Sequence, residues 1–348
     1  MRLRSSLAAV ALAATVLTVT TACGGTGTAT DSGTETVTVY SADGLAGWYK
    51  TQFDAFTKET GVAVNLVEAG SGEVVSRVEK EQSNPQADLV VTLPPFIQKA
   101  AAQDLLQPSG IDTSAVPAAE QDPAGRYVPV VNNYLSFIAN PGANPAPVRW
   151  DDLLTEQYKG KLQYSTPGQA GDGTAVLLLL QHLMGKPGAL DYLGRLQANN
   201  VGPSSSTGKL QPKVSNGELL VANGDVQMNL ASIKDDGSKF GVFFPADAAG
   251  ARTTVALPYV MGLAKGAPST EPAKKLMAFL LSEQAQRTVG PDALGVSVRS
   301  DLQSAGDVTD KGTPAGLLDG VTVWTPNWDT VITELDGDVA AYQKATGN

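Results

Sequence analysis

Residues able to do chemistry are unevenly spread along this chain of 348 residues. The most suggestive run is Thr166-Pro167-Gly168-Gln169-Ala170-Gly171-Asp172-Gly173-Thr174, which leads into the apolar stretch Ala175 to Met184. A glycine-rich loop feeding a helix N-terminus presents backbone N–H groups with no intrahelical partner at the positive end of the helix dipole. Such a place attracts an anion. The glycine spacing matches neither the Walker nor the dinucleotide pattern, and capping by Asp172 or Thr174 accounts for the same residues equally well. Three further loops, Ser41-Ala42-Asp43-Gly44, Gly70-Ser71-Gly72-Glu73 and Thr92-Leu93-Pro94-Pro95, each have the composition of an ordinary turn. Ser204 to Lys209 reads as a solvated hydroxyl-rich loop, and Asn223-Gly224-Asp225 as a turn before a strand over Val226–Leu230.

Catalysis finds little to work with. The chain has one histidine, His182, set among leucines, and one cysteine, Cys23. That excludes a Ser/His/Asp set, a Cys/His pair and zinc-ligand spacing. The carboxylates Asp43, Glu73, Asp88, Asp172 and Asp225 remain as an acid/base pair of the glycosidase type, whose separation a sequence does not give. The chain reads as a non-enzyme with no cofactor and no metal site.

The elements that must position these loops follow from periodicity. Thr36 to Tyr40, Val62 to Val67 and Ala87 to Thr92 read as strands. Trp48 to Thr60, Glu73 to Glu81 and Phe96 to Leu106 carry apolar residues at helical spacing. Three strand–helix repeats predict a parallel sheet with right-handed crossovers, and ligands of such sheets sit beyond the carboxyl ends of the strands. The three polar loops named above all fall there. Arg126 to Asn140 and Thr253 to Lys265 are long and extended, and Pro272 to Leu281 is helical.

The N-terminus reads as a targeting segment. Arg2 and Arg4 precede an uncharged Leu7 to Val19 that is too short to span a membrane. Thr20-Thr21-Ala22-Cys23 resembles the lipobox of bacterial lipoproteins, which implies lipidation of Cys23 and anchoring at the outer face of the cell membrane; a plain secretory signal is the alternative. Residues 24–35 have the composition of a flexible tether. The formal charge is −10, and becomes −12 when residues 1–22, with two arginines and no acid, are removed. An acidic chain with no basic patch is not a nucleic-acid binder.

Several strings resemble the type II periplasmic-binding proteins, in the cluster of the ferric-iron and spermidine/putrescine receptors. They are Val39-Tyr40-Ser41-Ala42-Asp43-Gly44, Glu68-Ala69-Gly70-Ser71-Gly72, Ala87-Asp88, Tyr158 to Leu162 and Phe279 to Gln286. Within that cluster Lys80 to Asp88, Thr92 to Ile97, Val131-Asn132-Asn133-Tyr134, Tyr164 to Thr174 and Asn223 to Asn229 resemble the 2-aminoethylphosphonate receptors of ABC importers. The resemblance implies an α/β fold of two lobes joined by two crossing strands, at Val130–Ile138 and Val255–Gly262, with the ligand cleft between them. It implies a signal peptide over 1–22, a tether over 23–35, lobe one from 36–130 plus 263–300, lobe two from 131–262, and a C-terminal segment, 301–348, packed on the lobes. A small-molecule ligand, an ABC permease and a monomeric receptor are the implied partners and state. Iron relatives use neighbouring tyrosines, and no Tyr-Tyr pair occurs here. Ferric iron, a polyamine or a phosphate-like oxyanion are the other ligands on this fold, and an extracellular sensor or enzyme is the remaining class.

For a ligand with a phosphonate and an ammonium, the resemblance divides the site. Ser71, Gly72, Thr166, Gly173 and Thr174 are the expected phosphonate donors, with Lys209 or Arg252 as a charged alternative. Asp43, Asp225 and Glu73 are the candidates for the ammonium, and Tyr134 or Tyr259 for the cover over the linker. Ser41, Gly70, Thr92 and Gly171 complete the expected lining.

Overall fold

The computed structural model describes residues 35–303 and 308–347; Cys23 and the targeting segment lie outside them. The chain opens with β1 (Thr36–Ala42), α1 (Ala46–Thr60), β2 (Ala63–Ala69), α2 (Ser71–Lys80), β3 (Leu89–Thr92), α3 (Phe96–Ala102) and β4 (Leu106–Gln107). α1 forms because Trp48, Tyr49, Phe53 and Phe56 recur on one face and are buried against the sheet. Burial of such side chains stabilises by about 1.5–3 kcal/mol each. The helix stops at Gly61, whose φ of 75° is the left-handed conformation that glycine adopts without strain.

The expected parallel sheet is present in part. β1 pairs in parallel with β2 and β3. The next strand, β11 (Tyr259–Ala264), is antiparallel to β3, so the sheet is mixed, in the order β2-β1-β3-β11-β4. The chain then runs through β5 (Tyr127–Val131), which pairs with β11, directly into β6 (Leu135–Ala139), which belongs to a second sheet. That sheet is completed by β7 (Leu162–Gln163), β8 (Val221–Asp225) and β9 (Gly241–Phe243) in the order β7-β8-β6-β9. Between β7 and β8 lie α4 (Gly171–Leu196) and α5 (Gln211–Ser215), and α6 (Val226–Asp235) follows β8. The chain returns by β10 (Arg252–Val255) to β11 (Tyr259–Ala264) in the first sheet. Each sheet with its helices is one lobe, and the two connections run side by side, bridged at Tyr134 and Ala256.

After α7 (Thr270–Leu280), α8 (Glu283–Arg287) and α9 (Pro314–Leu318), β12 (Val321–Trp324) pairs with β10. The last helix, α10 (Trp328–Thr346), touches both lobes. Lys186 on α4 meets Glu334 and Asp338, and Lys99 on α3 meets Asp336. The hydroxyls of Tyr164 and Tyr342 lie 3.0 Å apart. Among the described residues no helix is long and apolar enough to cross a membrane.

One expectation fails locally. Asn223-Gly224-Asp225 is the end of β8, and Val226–Leu230 is the start of a helix rather than a strand. Asp225 is the reason: its Oδ1 accepts from the Met228 N–H at 2.6 Å, which caps α6.

Candidate functional site

The carboxyl ends of β1, β2 and β3 deliver Asp43, Gly70, Ser71 and Leu93 to one wall of an enclosed cavity between the lobes. The other lobe supplies Ala170, Asp172, Thr207 and Met228. The enclosed space is about 10 Å³, room for about one water molecule. The lobes are shut on each other. Ser206 Oγ donates to Asp43 Oδ2 at 2.5 Å, Gly72 N–H to the Gln169 carbonyl at 2.9 Å, and Gln227 Nε2 to the Gly44 carbonyl at 3.0 Å. The Tyr259 hydroxyl donates to the Asp43 carbonyl at 2.9 Å and lies 3.3 Å from both Asp225 Oδ2 and Gln227 Oε1.

Two helices begin at this cavity without a side-chain cap. α2 starts after Gly70 and α4 after Ala170. Their first N–H groups carry the positive ends of two dipoles. Asp172 and Thr174 are not the cap of α4. Thr174 Oγ1 accepts from the Gly168 N–H at 2.9 Å and donates to the Ala170 carbonyl at 2.8 Å, which ties the loop together. Asp172 is inside the helix, 2% exposed, and its Oδ1 is buried with no hydrogen-bond partner.

Three carboxylates, Asp43, Asp172 and Asp225, thus gather where the lobes meet. None of the cavity's lining residues is Lys, Arg or His. Burial raises the Asp172 carboxyl well above its usual range, and the neighbouring Asp225 and Asp43 add to it. Burial also pushes Asp225 up to about 6, against the lowering effect of its hydrogen bonds from Met228 and others. The Tyr259 phenol is raised, by burial first and then by the nearby carboxylates. Among the described residues no group of three or more His, Cys, Asp or Glu is set to hold a metal ion.

The expected residues divide clearly. Asp43, Gly70 and Ser71 line the cavity, Tyr259 joins the Asp43 carbonyl to Asp225 behind it, and Gly171 opens α4 beside it, close to Ser71 Oγ and Leu93. Others support the walls. Ser41 donates to the Ala42 carbonyl, Thr92 to the Ser71 carbonyl, and Thr166 exchanges hydrogen bonds with Ser204 through both its N–H and its hydroxyl. Gly173 is wedged against the Ser165 carbonyl, where a Cβ would stand 2.0 Å away. Gly72 spends its N–H on Gln169. Tyr134 is elsewhere: it lines a separate cavity of about 580 Å³ with Glu120 and Trp328. Glu73 sits in an outer groove with Arg77, Lys80 and Ser205. Lys209 is exposed, and Arg252 reaches the Asp319 carbonyl. Of the remaining carboxylates and rings, Asp88 accepts from the Thr38 N–H at 2.8 Å, and His182 stacks on Trp324 with ring centroids 4.1 Å apart. Sequence reasoning missed Ser206, Thr207, Gln227 and the inward aim of Asp172.

Comparison with known proteins adds four findings. The sequence profile described as "Bacterial extracellular solute-binding protein" matches residues 51–315. A Salmonella typhimurium protein named "Putative 2-aminoethylphosphonate-binding periplasmic protein" is 51% identical over 317 residues, covering 89% of this chain and 92% of its own length. Iron uptake protein A1 of Synechocystis is 27% identical, covering 72% and 74%. Among solved structures, the periplasmic binding protein AfuA from Actinobacillus pleuropneumoniae, with fructose-6-phosphate bound, superposes with a TM-score of 0.76 at 19% identity, covering 90% of this chain and 99% of that one.

Proposed function

We propose that this chain, which belongs to the bacterial extracellular solute-binding proteins, captures 2-aminoethylphosphonate between its lobes and presents it to an ABC permease. The observation that carries the reading is the pairing of opposites in one cavity: two uncapped helix N-termini beside buried carboxylates, with no basic side chain. A phosphonate is drawn to the helix ends, and an ammonium to the carboxylates. A simple anion would satisfy the first and clash with the second. A polyamine would do the reverse. The name carried by the 51% identical Salmonella protein supports the same ligand. Iron finds no tyrosine pair in the sequence and no cluster of acidic or histidine ligands among the described residues.

The cavity is too small for the ligand as it stands, so the lobes separate to admit it and close over it. Hinging about the two connections at 131–135 and 255–259 moves one sheet against the other without unfolding either. The closed form is the one the permease reads. Cys23, lipidated as the first residue of the mature chain, tethers the receptor to the outer face of the membrane. A Cys23→Ser chain should then leave the membrane fraction; its retention there would refute the anchor.

The experiment that tests the ligand is thermal unfolding of the chain from residue 24 onward with 2-aminoethylphosphonate, ethylphosphonate, phosphate, spermidine and ferric citrate. A ligand at ~1,000 times its Kd adds about 4 kcal/mol of stability. The expected result is a large upward shift with 2-aminoethylphosphonate and little with the others. A shift with iron or spermidine in its place would keep the fold and remove the ligand.

A further inference from the structure

Asp172 is an expensive residue to keep where it is. It lies in the first turn of α4, 2% exposed, on the wall of the interlobe cavity, and its Oδ1 has no hydrogen-bond partner. A side-chain carboxylate taken out of water with no cation beside it costs several kcal/mol unless it is neutralised. The groups that face it make the position harder still. Asp43 comes from the end of β1, Asp225 from the junction of β8 and α6, and the Tyr259 phenol from β11. Hydrogen bonds reach the carboxyl from the Thr207 hydroxyl and from its own backbone N–H, and Oδ1 is left without one. The helix dipole at its own N–H groups helps, as it would for an Asp at any helix start, yet a capping role is ruled out because Ala170 holds the cap position. The carboxyl is therefore placed toward the cavity and left unpaired there.

We propose that Asp172 reads the ligand's amino group, and that it gives up a proton in exchange for the ammonium when the cleft closes. This rests on the aminophosphonate reading of the same site. In the empty closed form the Asp172–Asp225 pair holds a proton, since two neighbouring carboxylates in a dry site do not both ionise readily. When the ligand arrives, the O–H bond of the acid breaks heterolytically, its proton passes to the bulk buffer as the lobes close, and the ammonium takes its place. One positive charge leaves the carboxylate pair and one enters it, so that pair keeps its charge, while the phosphonate's negative charge is met by the helix N-termini of α2 and α4. A phosphonate without an amino group leaves the proton where it is.

Titration calorimetry at pH 6 in two buffers of different ionisation enthalpy tests this, on the chain from residue 24 onward. The ligands are 2-aminoethylphosphonate and ethylphosphonate, and the proteins are wild type, Asp172→Asn and Asp172→Ser. Wild type should release more protons with the amino ligand than either variant does with that same ligand, a difference in which the phosphonate's own titration cancels. It should also prefer the amino ligand. Both variants should lose the extra proton and most of that preference, on the order of 100-fold in Kd for the amino ligand, while ethylphosphonate binding changes severalfold at most. Variants that keep the preference, or that release as many protons as wild type with the amino ligand, would overturn the inference. So would loss of both ligands in both variants, which marks Asp172 as a structural residue. A wild type that binds neither phosphonate removes the ligand reading and this inference together, whereas normal wild-type binding with an inert Asp172→Asn removes this one alone.

Discussion

Gly70 is where closure itself is put to the test. It precedes α2 with φ −63° and ψ 150°, a conformation that alanine adopts freely. A Cβ added there would stand 2.2 Å from the Ser205 carbonyl oxygen on the opposite lobe, where ordinary contact begins at 3.4 Å. The obstacle is backbone, so no side-chain rotation relieves it, and the lobes must stand more than an ångström further apart. In the open form nothing faces the new methyl. Gly70→Ala therefore acts on closure and leaves the fold alone. Overpacking of this kind costs about 1–3 kcal/mol. The whole cost falls on the closed form, which weakens apparent affinity about 5- to 150-fold through the fraction of molecules competent to close. The assay is calorimetric Kd for 2-aminoethylphosphonate beside ligand-free thermal unfolding. A weakened Kd with the ligand-free Tm unchanged or slightly raised is expected. Wild-type affinity in Gly70→Ala would refute the argument, because it would mean that the ligand-bound lobes never approach as closely as Gly70 and Ser205 do.

Other outcomes follow from the same geometry. Gly173→Ala drives a Cβ to 2.0 Å from the Ser165 carbonyl within one lobe, so it should lower the ligand-free Tm, in contrast to Gly70→Ala; equal Tm values for the two would contradict the assignment of these contacts. Tyr259→Phe removes the hydroxyl's 3.3 Å contacts with Asp225 Oδ2 and Gln227 Oε1 on the other lobe, and should cost about 1 kcal/mol of closure, read as roughly fivefold in Kd. Asp225 has its carboxyl raised to about 6 in the folded chain, by burial first. The folded form then binds the proton more tightly than the unfolded one, so the contribution is complete below pH ~4 and is lost as pH rises through about 6. Ligand-free wild type should lose up to roughly 3 kcal/mol across that window relative to Asp225→Asn, whose amide oxygen keeps the α6 cap; parallel stability curves for the two would refute this.

Much of the site was legible because strands announce their ends. Ser41 to Gly44, Gly70 to Glu73 and Thr92 to Pro95 follow β-branched runs, and the rule that ligands sit beyond the carboxyl ends of such strands brought Asp43, Gly70 and Ser71 together before any coordinates. What failed did so for identifiable reasons. Ser206 and Thr207 look like solvated loop residues, and only the crossing of the chain between sheets carries them against Asp43. Val226 to Leu230 suits either a strand or a helix over five residues; the aspartate immediately before it was the helix-start signal. Tyr134 and Asn133 both line the separate cavity, and of the two only Asn133 is tied to the start of α6, where its Oδ1 accepts from the Gln227 N–H. Asp172 was recognisable as an acid at a helix start, but its burial belongs to the packing of α4 against the other lobe.

On the proposed reading, the charges account for how a strongly acidic protein would hold a phosphonate. The chain's net charge of −10 repels anions at a distance, but that field fades over a Debye length of about 8 Å in physiological salt. The helix ends of α2 and α4 act at contact, inside a closed space where salt does not reach. Once inside, phosphate or sulfate would meet Asp43 and the Asp172–Asp225 pair with only one shared proton to neutralise them, and repulsion from the remaining carboxylate charge disfavours the abundant anions. An aminophosphonate brings its own cation to the acids and its own anion to the dipoles. Selectivity in such a site comes from the carboxylates that burial makes costly, and replacing them with neutral residues should yield a more stable protein that discriminates less.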